Sequence, residues 1–329
     1  MATQTISPAT HSRSTTGVTR FAWAVVAYNV LVILWGDVVS ATGSGNGCGD
    51  HWPLCNGSLT PHWHTVASVI EFAHRATAGI DTIAILGLLV WTWRATVARH
   101  LARFWIAATV FFTFTEGLLG ALLVKLQLTT TNHSPMRAAF FSLHLANTLF
   151  LLAALTLTAH FLGRGTGRMR GSVQLTFGWS SGFAIGTTLL VGISGSLAAL
   201  ADTLYPATTL RAALAQDINP NSPWMLHLRW VHPALALLAG GAIVLLVIRP
   251  LAKGVHIKGG GLLLGLLAMQ IVLGICDVLL LAPVWLQVVH LLGADCLWIA
   301  LIVLAARTSV RPIGCMGGAC SGTERVATA

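Results

Sequence analysis

Long apolar runs alternate with short polar connections along most of the chain. Eight such runs, at approximately 21–41, 66–93, 101–124, 138–162, 173–200, 226–249, 259–281 and 284–306, are each long enough to cross a membrane. A helix through the hydrocarbon core needs roughly 20 residues. The pattern therefore predicts an all-α integral membrane protein with eight transmembrane helices and no soluble domain long enough to fold alone. Residues 1–20 are rich in Ser and Thr and lack an apolar run, so they read as a disordered tail rather than a signal peptide. The first helix then directs insertion and is retained.

Composition agrees: 55% of the 329 residues are hydrophobic, 9% are charged, and the mean hydropathy is +0.76. The formal net charge of +9 invites a nucleic-acid reading, but the positions of the basic residues argue against one. Arg13 and Arg20 precede the first helix; Arg94, Arg99 and Arg103 follow the second; Arg164, Arg168 and Arg170 follow the fourth. Arg249, Lys253 and Lys258 follow the sixth, and Arg307, Arg311 and Arg325 form the tail. The alternate connections hold only Lys125, Arg137 and Arg211. By the positive-inside rule both termini are cytoplasmic, and the partner of this chain is membrane lipid in a cell membrane.

Eight helices divide into two sets of four that enter the membrane from the same side, which favours a parallel repeat about an axis along the membrane normal. The expected layout is a tail at 1–20, a first four-helix half at 21–162, a basic linker at 163–172, a second half at 173–306 and a tail at 307–329. IEFAHRATAG in the second helix and HLRWVHPALA in the sixth put His74 and His232 at similar positions below the outer surface. FSLHLANT in the fourth and LQVVHLLGAD in the eighth do the same for His144 and His290. Gly120 in the third helix corresponds to Gly274 in the seventh, where small residues permit close packing. Two pseudo-symmetric four-helix bundles follow.

A histidine within a membrane is costly and usually functional, although one alone also serves as an interhelical hydrogen bonder. Four at one depth, two per half, favour paired axial ligation of haem iron, because bundle cores build cofactor sites from inward side chains on facing helices. Glu71 lies one turn before His74 on nearly the same face, either to act at a haem edge or to pair with Arg75. Asp37, Asp81, Glu116, Asp277 and Asp295 are further buried ionisable groups, with Arg229 three residues before His232. Proton transfer, mutual pairing and, for Arg229, contact with a haem propionate all remain open from spacing. His51, His62, His64, His133 and His227 read as solvent or loop residues. Cys48 and Cys55 lie in TGSGNGCGDHWPLCNG on the outer side, where a disulfide is permitted. Cys276 and Cys296 read as small buried residues. Cys315 and Cys320, in the tail, lack further ligands for a metal.

TGSG, CGDHWPLCNG, EFAHR, HLANT, RWVHPALA and VVHLLGAD together resemble the haem A synthase family over about 21–306. The resemblance implies an oxidoreductase that converts the C8 methyl group of haem O to the formyl group of haem A by successive hydroxylation, for use in cytochrome oxidases. It implies a substrate haem on His74 and His144 with Glu71 catalytic, a haem b cofactor on His232 and His290, and a Cys48–Cys55 disulfide. Haem O synthase, a protohaem farnesyltransferase, is the implied source of substrate, and quinol a candidate electron donor. Three features depart from the family: Ser40 and Ala41 stand where an arginine commonly precedes TGSG, Pro233 follows His232, and residues 201–225 hold no second cysteine pair. Two other classes fit the paired histidines: a di-haem b electron-transfer cytochrome linked to quinol, and a haem exporter or chaperone. The asymmetry of Glu71 in one half against Arg229 in the other favours the enzyme, and the lack of an extended Trp-rich loop beyond Trp52 and Trp63 disfavours the exporter.

Overall fold

In a computed structural model, residues 15–58, 65–130, 132–164, 173–175 and 178–312 are described. Eight helical spans are long and apolar enough to cross a membrane. They are α1 (Thr16–Ala41), α2 (Val66–Ala95), α3 (Leu101–Lys125), α4 (Pro135–Gly163), α5 (Trp179–Leu204), the run Trp224–Leu251, α9 (Gly260–Leu279) and α10 (Val284–Ser309). The run comprises α7 (Trp224–His227), a 3₁₀ turn at Leu228–Trp230 and α8 (Val231–Leu251). The chain is a multi-pass, all-α membrane protein. Two three-residue strands, β1 (Val173–Leu175) and β2 (Val310–Pro312), add a short antiparallel ribbon at the end where α4, α5 and α10 have their basic flanks.

Local signals set the helix ends. Thr65 caps α2 by accepting from the Ser68 amide at 3.1 Å, Ser134 caps α4 ahead of Pro135, and Thr209 caps α6 (Leu210–Ile218). Two boundaries differ from the sequence expectation. α1 begins at Thr16, inside the stretch expected to be disordered, because its small and β-branched residues extend the apolar face and Val18 and Ala22 pack in the core. α5 starts six residues and ends four residues later than the expected 173–200, since the Trp179 start follows the ribbon rather than the apolar run. The remaining termini, most of the linker, His62, Trp63, His64, Cys315 and Cys320 lie outside the described residues.

α1 packs on α2 and α4, and α3 on α4 and α2; α5 packs on α8, and α9 on α10, with α8 touching α9 and α5 touching α10. Between the two sets, α4 meets α5 and α10, and α1 meets α10. One hydrophobic core runs through α1–α4 and takes in Trp298, Ile302 and Ala306 of α10. The buried Trp298 indole donates to the Leu149 carbonyl at 2.9 Å, which ties α10 to α4. Large apolar side chains such as Phe104, Phe111, Phe114 and Leu237 stand outward at over 60% exposure. Such a surface is tolerable only with lipid as solvent.

Candidate functional site

The helices that carry the four histidines all begin at the end of the molecule that bears the disulfide. His74, His144 and His232 lie eight or nine residues into their spans and His290 six. At 1.5 Å per residue that is roughly 9 to 14 Å from the end, a common depth. Each ring rests against a glycine of the preceding span. A Cβ on Gly36 of α1 would lie 3.0 Å from His74 Cε1, and one on Gly195 of α5 would lie 2.9 Å from His232 Cε1. On Gly274 of α9 the distance to His290 Cε1 is 3.1 Å; on Gly120 of α3 the distance to His144 Cε1 is 3.8 Å. The repeat thus has a physical unit, a glycine that lets a neighbouring imidazole lie close to the helix backbone. Gly120 and Gly274 were visible as small residues in the sequence; Gly36 and Gly195 were not singled out, because only the packing shows which ring each one faces.

The second pair of rings has the separation a haem iron needs. The His232 and His290 centroids are 6.4 Å apart with the planes at 80°. Two imidazoles on opposite sides of one metal, with bonds of about 2 Å, have centroids roughly 6 Å apart. His232 Nδ1 lies 3.1 Å from the Val191 carbonyl, which fixes the proton on Nδ1 and leaves Nε2 as the lone-pair nitrogen. In the other half, Nδ1 of His74 and of His144 are buried polar atoms without a hydrogen-bond partner among the described residues. No group of three or more His, Cys, Asp or Glu side chains among the described residues could hold a bare metal ion. Two imidazoles per half suit an iron whose other four ligands come from a porphyrin.

Around the rings, the two halves differ. In the first, Glu116 of α3 lies with Oε1 3.4 Å from His144 Nδ1. Its other oxygen accepts from Asn147 Nδ2 at 2.5 Å, and Oε1 accepts from the Thr148 hydroxyl. In the second, Gln270 of α9 lies with Nε2 3.2 Å from both ring nitrogens of His290 and donates to the His290 carbonyl at 3.0 Å.

Glu71 is buried and both its oxygens are engaged. Oε2 accepts the Cys48 amide at 2.8 Å, and Oε1 pairs with Arg75. Arg75 in turn donates to the carbonyls of His51 at 2.7 Å and Leu54 at 2.6 Å. Of the two readings of Glu71, pairing with Arg75 is the one the geometry displays, and the carboxylate also fastens the outer loop to α2. Cys48 and Cys55 form a disulfide, with both residues buried. Gly47 presses on the start of α2 so closely that a Cβ there would meet the Ala67 carbonyl carbon at 2.3 Å.

Arg229 is likewise committed within the chain, to Asp202 at 2.8 Å and Asp217 at 3.2 Å, which makes it a charge-pair residue. Burial pushes the Asp217 carboxyl up from its ordinary value, against the pull of Arg229. The helix carrying Asp217, α6, was not legible in 201–225, since it is only nine residues long and buries no side chain. Asp81 pairs with Asn29 of α1 at 2.6 Å, while Asp37, Asp277 and Asp295 each keep a buried oxygen without a hydrogen bond among the described residues. His133 is a loop residue beside the Tyr205 hydroxyl at 3.0 Å, whereas His227, expected in a loop, is the last residue of α7 and meets the Asp217 carbonyl through Nδ1 at 2.9 Å.

The sequence profile of the cytochrome oxidase assembly protein family, COX15-CtaA, matches residues 19–302. A Thermus thermophilus protein named "Protoheme IX farnesyltransferase" is 41% identical over 297 residues, which cover 87% of this chain and 47% of that protein. Proteins named "Heme A synthase" are similar over shorter stretches. The one from Lysinibacillus sphaericus is 42% identical over 101 residues (31% of this chain, 33% of that protein) and the one from Bacillus licheniformis 40% over 95 (29% and 31%). The chain thus spans about half the length of the Thermus relative and aligns with about a third of the others.

Proposed function

The chain belongs to the cytochrome oxidase assembly family COX15-CtaA, and from that premise we propose that it is a haem A synthase. It oxidises the C8 methyl of haem O to an alcohol and then to a hydrate, each step a two-electron oxidation that draws on an external oxidant, and the hydrate loses water to give the formyl group of haem A. The observation that carries this reading is the repeated pair of imidazoles at one depth, each seated on a glycine of the neighbouring span. His74 and His144 would hold haem O in the first half, and His232 and His290 would hold haem b in the second. The haem b iron supplies one-electron chemistry when bound. The division into a substrate half at 21–162 and a cofactor half at 173–306, joined by the linker at 163–172 and flanked by tails at 1–20 and 307–329, belongs to the same proposal.

The chain's own residues then have separable tasks. His232 is held in one tautomer by Val191, ready to ligate. Glu71, one turn from His74, keeps the outer loop closed over the first half and is the carboxylate placed to serve the reacting edge when Arg75 releases it. Arg75 and Arg229 anchor their loops, and the Cys48–Cys55 disulfide is structural. Both termini face the cytoplasm, and the protein resides in the cell's cytoplasmic membrane, with quinol a candidate electron donor. The name of the Thermus relative supports a substrate supply from haem O synthase, since that name describes the preceding step.

Extraction and chromatographic identification of the bound haems, after expression with and without a haem O synthase, tests the proposal. Haem A or its hydroxylated precursor, formed only when haem O is available, is the expected result. Two unmodified haem b per chain under both conditions would instead make this a di-haem electron-transfer cytochrome. In a Glu71→Ala variant haem remains bound and turnover is lost; a normal yield of haem A there removes Glu71 from the reaction.

A further inference from the structure

The two halves repeat a four-residue spacing on the span that faces the second histidine of each pair: Glu116 precedes Gly120 and Gln270 precedes Gly274. The glycines receive the rings of His144 and His290, so the side chain one turn earlier lies beside each imidazole, Glu116 at Nδ1 of His144 and Gln270 at both ring nitrogens of His290. Those side chains differ in hydrogen-bonding character. Gln270 donates its Nε2 to the His290 carbonyl, a group that only accepts, so its N–H end is the one beside the ring. A Cβ on Gly293, one turn after His290, would lie 2.3 Å from Gln270 Oε1, so that glycine makes room for the amide. Glu116 has only oxygens to offer. Asn147 and Thr148, in the turn after His144, donate to it and leave Oε1 at an ion-pair distance of 3.4 Å from Nδ1 of His144, a buried atom that makes no hydrogen bond among the described residues.

We propose that Glu116 is a positioning residue for the first half: it accepts from His144 Nδ1–H, fixes the tautomer with Nε2 as the iron-binding nitrogen, and makes that imidazole a stronger donor than His290. An acceptor on the far nitrogen of a ligating histidine orients the ring and raises its basicity, and removing such a partner typically costs 10–100-fold in metal affinity. A stronger donor stabilises the oxidised iron, so the haem of the first half has the lower midpoint potential, whereas Gln270 gives His290 no such support. The inference rests on the proposal that the first half binds haem.

The test uses the full-length protein with His232→Ala and His290→Ala, so that only the first half is read, and added protohaem as the probe. Glu116→Gln is expected to weaken protohaem binding 10–100-fold and to move the midpoint potential in the positive direction, with Glu116→Asp restoring part of both. Unchanged affinity and potential in Glu116→Gln overturn the inference, and so does a variant that unfolds earlier on heating while both values stay at the parent level. Should Glu116→Gln fail to fold, Gln270→Glu with His74→Ala and His144→Ala carries the test: the second-half potential is expected to fall, and an unchanged potential overturns the inference. A parent protein that binds no haem in its first half overturns the underlying reading and the inference with it.

Discussion

Each half places a polar connection over a pair of histidines, and the two halves hold that connection down by different means. Over the first half, residues 42–58 are cross-linked by Cys48–Cys55 and bound to α2 by Glu71, Arg75 and the Ser68 hydroxyl, which donates to the Gly47 carbonyl at 2.6 Å. Over the second half there is no cysteine, and α6 is held by Arg229 through Asp202 and Asp217. In both, an arginine within one turn of the first histidine is the anchor. The comparison teaches that the arginine-to-loop clamp is the shared device, with the disulfide added to the half assigned to substrate, where the covering loop has no helix of its own among the described residues.

The coarsest way to break the comparison is to remove ligands. His74→Ala is expected to eliminate one haem per chain and all haem A formation, while His232→Ala eliminates the other haem; quantitative haem extraction on both variants reads this directly. Loss of the same haem in both would end the two-site assignment.

Next in size are the anchors. Arg229→Ala leaves two carboxylates without their cation, and because the cluster is only partly buried the loss is expected to stay below the ~3–5 kcal/mol of a fully buried pair. Arg75→Ala is expected to cost less while the disulfide is intact and to approach the Arg229→Ala loss once the disulfide is reduced, because the two constraints act on one loop. Thermal unfolding with and without reductant measures the coupling; strictly additive losses would mean that disulfide and arginine act independently.

The glycines sharpen the comparison of the rings themselves. Gly195→Ala puts a methyl 2.9 Å from His232 Cε1 and is expected to cost about 1–3 kcal/mol of overpacking, with loss of haem from the second half. Gly120→Ala, at an ordinary contact of 3.8 Å, should keep its haem and gain up to about 1 kcal/mol from better helix propensity. Equal haem loss in both variants would mean that ring contact is not the role of these glycines. The smallest effect is expected of Tyr205→Phe, which removes the link to His133 between the α3–α4 connection and the end of α5, at about 0.5–1.5 kcal/mol. Unfolding midpoints resolve that difference, and a larger change would mark Tyr205 as a member of the site.

The eight spans, their order and the four histidines were legible because a membrane imposes a one-dimensional rule: about 20 apolar residues per crossing, with any ionisable group inside it conspicuous. His74, His144, His232 and His290 stand out from the sequence on that ground, and the even division into halves follows from counting. Pairing with Arg75 was one of two open readings of Glu71, but the loop partners of Glu71, Arg75 and Arg229 were not legible, because a carboxylate three residues from a histidine has the same spacing whether it faces a cofactor or a loop. Only the packing of residues 42–58 onto α2 put the Cys48 amide against Glu71. The same holds for Gly36, Gly195 and the pairing of Glu116 with His144, each of which joins residues on different helices. The sequence by itself determined what is buried in lipid and which side chains are chemically unusual there. Tertiary structure alone decided what each of those side chains faces, because interhelical register is set by close packing between surfaces that look equally apolar along the chain.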